Sequence, residues 1–237
     1  MNVSTVRGRP AAGTAVAAAR RVYDAHQAVA LPANAAGVAA MEGPLGRGLP
    51  VHLATCFSAR RYEQAAAAYL EALTRARADG RDLAPLASTV AFGLRPLDIR
   101  IDALLDRAGG EEAKALRGTA ALLAARLARR ASARIFDPAA SPAWQALAAA
   151  GARPLRLVWT QLGDRAPADG TRPDYAAELA RTDTGPARSD RGLAAQAQHL
   201  EACLRWFGIR PEEVVRDLED GPYGGPYGGP QSAGGVS

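Results

Sequence analysis

Pro50-Val-His-Leu-Ala-Thr-Cys-Phe-Ser58 is a short apolar run bounded by turn-forming residues, and a helical stretch from about Arg60 to Ala78 follows it directly. The run has the length and composition of a buried strand. The helix is stopped by Asp79-Gly80. Together they form a βα unit, and the same alternation extends in both directions. Downstream, Leu86–Leu94 is expected to be the next strand, with helices over Leu97–Arg107 and Glu111–Arg134. Ser141–Ala149 is a further helix, with Pro142 suited to its first turn. Leu155–Thr160 is a strand, Pro173–Leu179 a short helix, and Arg181–Pro186 a loop or weak strand. Helices over Leu193–Phe207 and Pro211–Asp220 close the ordered part. Upstream, Ala11–Gln27 is alanine-rich, with Val16, Ala19, Val22 and Tyr23 at helical spacing. Val29–Pro32 is a short apolar run, and Gly37–Leu45 a helix ended by Gly46 and Gly48. Short apolar runs alternating with longer helical patterns predict an α/β fold with a parallel sheet.

The chain has 237 residues, 48% of them hydrophobic, enough for one sizeable core. The expected division is one domain over 1–220 and a disordered tail over 221–237. The tail, Gly221-Pro-Tyr-Gly-Gly-Pro-Tyr-Gly-Gly-Pro230 and beyond, cannot bury a core. No apolar run is long enough to span a bilayer, no signal peptide is evident, and Cys56 and Cys203 are far apart in sequence. A cytoplasmic protein with reduced thiols is expected. The net charge of +5 comes from dispersed arginines without a Lys/Arg cluster or interleaved aromatics, which argues against nucleic acid as a partner. Lys114 is the only lysine among the 29 basic residues. Arginine cannot form an imine with a carbonyl, so any lysine-dependent chemistry rests on Lys114.

Several motifs share an order and spacing with a known family. Pro50–Ser58 and the Arg-Tyr that opens the next helix are similar to a Val-Asn-Val-Thr-Leu-Ile-Phe-Ser strand and its following helix. Ala91-Phe-Gly-Leu-Arg-Pro-Leu-Asp98 is similar to a Ser-Phe-Phe-Val-Ser-Arg-Val-Asp segment, with Asp102 in register. Ala115-Leu-Arg-Gly118, Trp144–Pro154 and Val158-Trp-Thr-Gln-Leu-Gly163 resemble the run into a Leu-Trp-Ala-Ser-Thr-Gly strand. Tyr175–Leu179, Asp183-Thr184, Gly208-Ile209, Glu212–Val215 and Leu218-Glu219 resemble the later helices. From about Val3 to Asp220 the chain thus resembles actinobacterial-type transaldolases. The resemblance implies a (β/α) barrel of the TIM type. It also implies that the barrel is incomplete, with the first two strands missing from this chain, including one that supplies a catalytic aspartate.

The family acts through a lysine in a Lys-Ile-Pro-Ala-Thr pattern. Here that pattern looks like Ala30-Leu-Pro-Ala-Asn34, with Gly37 in register behind it, so Ala30 stands at the lysine position. A methyl group forms no Schiff base. The family's strand Asn and Thr look like His52 and Ala54, its serine aligns near Ala91, and its phosphate-binding arginine near Pro96, one residue from Arg95. The glutamate of its third strand aligns with Thr5.

His52, Ala54, Cys56 and Ser58 fall on one strand face at period two, which the resemblance points into the barrel. His52 and Cys56 are about 13 Å apart by strand rise, too far for a Cys–His couple. Arg95, Trp159 and Gln161 sit near strand C-terminal ends, where barrel sites are built. The candidate pocket is therefore His52, Cys56, Arg95, Trp159 and Gln161. His26, His52 and His199 lack zinc-site spacing, so neither a metal nor a cofactor is expected. The leading expectation is a transaldolase homologue without Schiff-base catalysis that acts as a structural or regulatory subunit. Self-association, a partner chain or the N-terminal residues would cover its open barrel edges. The alternative is a repurposed enzyme or sugar-phosphate binder with His52 as acid/base group and Arg95 as anion contact.

Overall fold

The structure, a computed structural model, describes residues 28–163, 173–184 and 190–221. The helix expected over Ala11–Gln27, Thr5, His26 and the tail from 222 onward lie outside the described residues. The elements in order are β1 (Val29–Leu31), α1 (Ala35–Ala39), α2 (Glu42–Gly46), β2 (Val51–Cys56) and α3 (Ala59–Ala78). A 3-10 turn at Ala84–Leu86 then leads to β3 (Thr89–Gly93) and α4 (Arg95–Ala108). They are followed by α5 (Glu111–Ala115), α6 (Ala120–Ile135), α7 (Pro142–Ala149) and β4 (Arg156–Thr160). Last come α8 (Tyr175–Thr184), α9 (Asp190–Trp206) and α10 (Pro211–Asp220). The strands form one sheet in the order β1-β2-β3-β4, and every neighbouring pair is parallel. This is the α/β arrangement expected from the alternating pattern, with four strands among the described residues.

Three sequence expectations change. The segment 181–184 is the last turn of α8 rather than a weak strand. Asp174 Oδ1 accepts the Ala177 N–H at 3.0 Å to cap the start of that helix. Tyr175 and Leu179, four residues apart, bury its apolar face. The long helix expected over Glu111–Arg134 is two, because the break contains Gly118 at φ 67, and Asp102 Oδ1 takes the Gly118 N–H at 3.0 Å. Gly37–Leu45 likewise divides into α1 and α2 at Ala40-Met41.

α3 crosses from β2 to β3 and packs on α6. The facing residues are small: Ala65, Ala66 and Ala72 on α3, and Ala121, Ala125 and Ala128 on α6, all buried. Small residues at a crossing bring helix axes close together. Two buried tyrosines fix α3 against the sheet. The Tyr62 hydroxyl donates to the Leu155 carbonyl at 2.7 Å and accepts from Ser132 Oγ at 2.8 Å. The Tyr69 hydroxyl lies 3.1 Å from the Leu86 carbonyl and 3.0 Å from that of Arg153. Burial pushes the Tyr62 phenol well above its usual range and that of Tyr69 up to about 12. Both therefore stay protonated donors, anchoring the loops that lead into β3 and β4.

Candidate functional site

Partners opposite each other in a parallel sheet share a face. Ala30 pairs with His52, His52 with Thr89, and Thr89 with Arg156. These four make one row on the face away from the main helix layer. The neighbouring row, Leu31, Leu53, Val90 and Leu157, points the other way, and Leu53 and Val90 are fully buried in the core. The open row is polar at its centre. His52 Nδ1 and Thr89 Oγ1 are hydrogen-bonded at 2.7 Å. Partial burial lowers the His52 pKa, so the ring favours its neutral form. Ala30 beside it is exposed and contributes only a methyl group.

Cys56 does not share this face. The register slips between Leu53 and Cys56, so that Leu53 pairs with Val90 and Cys56 with Phe92. Three steps on β2 thus match two on β3, and the extra residue reverses the alternation expected at period two. Cys56 joins the helix-facing side, where it is fully buried in the core. Burial, with the Glu219 carboxylate nearby, pushes its thiol pKa far up, so it is an inert packing group. Trp159 is also on that side, opposite Phe92, with the rings edge to face at 5.6 Å.

Gln161 and Arg95 do come together. Gln161 follows β4 with φ 54, the one positive φ of a non-glycine among the described residues. The turn carries its side chain across to Gly93, where Gln161 Oε1 would lie 2.6 Å from an added Cβ. The Arg95 N–H donates to the Gln161 carbonyl at 3.1 Å, and the Arg95 side chain lies against Gly163. This cluster sits at the C-terminal end of β3 and β4. His52 is level with Thr89, four residues before Gly93, and so about 13 Å away along the strand. One small group cannot touch both His52 and Arg95. The five residues expected in one pocket therefore separate into three places.

Three buried acids, Asp98, Asp102 and Glu219, were legible only as members of family-like motifs. Asp98 on α4 accepts the Ala121 N–H at 2.8 Å, capping α6, and the Tyr175 hydroxyl at 2.7 Å. Burial raises its pKa to about 6 against these donors. Glu219 on α10 is 2% exposed and pairs with Arg61 Nε at 2.8 Å. Burial raises its pKa as well, and Arg61 opposes the shift. Acids on an otherwise apolar helix face were the available signal, Asp98 with Asp102 on α4 and Glu219 on α10.

Lys114 is exposed on α5, where Nζ meets Glu111 Oε1 at 2.8 Å, away from the sheet. Among the described residues, no group of three His, Cys, Asp or Glu side chains could hold a metal ion, and no helix is long and apolar enough to cross a membrane.

No protein-family model matches the chain. Transaldolase 1 of Streptomyces avermitilis is 36% identical over 209 residues, which cover 81% of this chain and 54% of that protein. The transaldolase of Acidothermus cellulolyticus is 35% identical over 210 residues, 81% of this chain and 55% of that one. The chain is a relative of the transaldolases. A third relative, the transaldolase of Thermobifida fusca, is 36% identical over 212 residues, covering 81% of this chain and 56% of its own. The chain spans about half the length of the curated relatives it matches. As a transaldolase relative it keeps the parallel βα core, and its open sheet face carries alanine, histidine and threonine where β1, β2 and β3 lie side by side.

Proposed function

We propose that this chain is a transaldolase homologue that has given up Schiff-base chemistry and acts as a structural or regulatory subunit. The observation that carries the reading is Ala30. In the family resemblance it stands at the lysine position, and on β1 it faces the same way as His52. A covalent imine needs an amine at that place. The single lysine, Lys114, is on a surface helix and engaged with Glu111. An exposed, paired ammonium lacks the burial that turns a lysine into a nucleophile.

The supporting groups point the same way. A neutral histidine bonded to Thr89 stands where the family has an asparagine, and Ala54 and Ala91 stand at the hydroxyl positions. Among the described residues β1 and β4 each have a strand on one side only. We infer that a second copy or a partner chain covers those edges.

The test is reductive trapping. The purified chain, incubated with fructose 6-phosphate and borohydride, is expected to show no mass gain in intact mass spectrometry. A stable adduct on Lys114, or turnover in a transaldolase assay, would sink the reading.

A further inference from the structure

Helix α9 packs on α6 and buries Leu193 and Leu204. Another side of it faces outward. At about 100° per residue, Ala195, Gln196, His199, Ala202, Cys203 and Trp206 fall within roughly 60° of His199 around the helix axis. None of the six is an acid, a lysine or an arginine. Cys203 is half-buried and the other five are exposed, Trp206 to 86%. The nearest charges on the helix are occupied elsewhere, since Arg205 pairs with Glu201 at 2.9 Å and with Glu212 at 3.1 Å.

His199 and Cys203, four residues apart, meet on this side, with Cys203 Sγ 3.6 Å from His199 Nε2. Zinc bonds of about 2.3 Å to a thiolate and about 2.0–2.1 Å to an imidazole, at the tetrahedral angle, set the two donor atoms roughly 3.6 Å apart. The pair therefore has the bite of two neighbouring zinc ligands. A structural zinc site takes four ligands, and among the described residues no third His, Cys, Asp or Glu side chain joins these two. A second copy supplies the missing half, because a two-fold axis through the metal sets the same pair opposite. Ala195 and Ala202 are small enough to let two such helices approach, and Trp206, about one turn beyond Cys203, offers an exposed apolar anchor for the contact. We propose that α9 carries half of a zinc site with two cysteine and two histidine ligands, closed by α9 of a second copy of this chain. On binding, each Cys203 thiol releases its proton to solvent and bonds the metal as a thiolate. The contact uses α9 and not the sheet edges, so it does not rest on the subunit reading above.

The whole chain, freed of metal, is titrated with Co²⁺ under a non-thiol reductant that keeps Cys203 reduced. The expected result is the visible absorption of tetrahedral cobalt with a thiolate-to-metal charge-transfer band, saturating at one metal per two chains. Zn²⁺ should displace the cobalt. It should also raise the sedimentation coefficient above that of the metal-free chain, and a chelator should reverse the rise. His199→Ala and Cys203→Ser each remove two of the four ligands and should abolish both signals. Neither side chain is fully buried, so circular dichroism should show the fold unchanged. Cys56 remains in Cys203→Ser, so loss of the charge-transfer band there assigns it to Cys203. Trp206→Ala should raise the zinc concentration for half-association by about tenfold or more. Saturation at one metal per chain, an unmoved sedimentation coefficient, bands that survive either ligand variant, or an unaltered midpoint in Trp206→Ala would overturn the proposal.

Discussion

Asp98 is a residue whose burial has a measurable consequence. Its carboxyl has a pKa of about 6 in the folded chain, against about 3.9 for an unperturbed aspartate. The folded state therefore binds more protons than the unfolded state between these values. Stability contributed by the protonated form is fully present below about pH 4 and is lost as the pH rises through 6. The gap corresponds to up to about 3 kcal/mol. Asp98→Asn has no such titration. In urea unfolding, the advantage of the parent chain over Asp98→Asn should shrink by that order between pH 4 and 7. If the advantage grows instead, the Tyr175 hydroxyl and the Ala121 N–H hold the carboxylate ionised, and burial is not the dominant cause.

At the scale of elements, the C-terminal ends of β2, β3 and β4 meet at Gly93. A Cβ there would lie 2.5 Å from both Phe57 Cε1 and Thr55 Cγ2. Phe57 is fully buried and Thr55 nearly so, and neither has room to give way. Gly93→Ala should thus cost about 1–3 kcal/mol by overpacking, read as a lower urea midpoint with an unchanged slope. A slope change would mean that the sheet end itself rearranges. The same region shows what the sequence could and could not convey. Element identity was legible where periodicity was long: α3 and α10 lie where expected, because apolar spacing agrees with a start signal, the Ser58 cap of α3 and Pro211 at the first turn of α10, and with a glycine after each end. Facing was not legible in β2. Period two assumes an unbroken ladder, and the slip between Leu53 and Cys56 turns Cys56 to the other side. Gln161 was legible as a residue of the strand end beside Arg95, but its direction was not, since its αL turn, not strand alternation, sends it across to Gly93. The Arg61–Glu219 pair joins residues 158 apart in sequence, a separation no local pattern encodes.

For the whole molecule, the backbone says which edge groups the proposed subunit contact would cover. The Val29 N–H bonds to the Pro50 carbonyl at 2.8 Å, and the Arg156 N–H to the Ser88 carbonyl at 3.1 Å. N–H groups in a parallel strand alternate between its two edges. The N–H of Ala30 on β1 therefore points away from β2, and those of Leu157 and Trp159 on β4 point away from β3. Three donors left to water at flat edges would template further strand pairing. If a second copy or partner chain covers these edges, the amides of Ala30, Leu157 and Trp159 exchange slowly with deuterium at high protein concentration. Their protection should then fall on dilution, in step with a drop in sedimentation coefficient. For a purely intramolecular cover, protection would be independent of concentration and the chain would sediment as a monomer, which would defeat the subunit reading. Rapid exchange of all three amides at every concentration would defeat it too, because the edges would then be open to water. Only concentration-linked protection would tie the edges of the described sheet to an assembly, and so support the proposed subunit role of a chain with Ala30 at the family's lysine position.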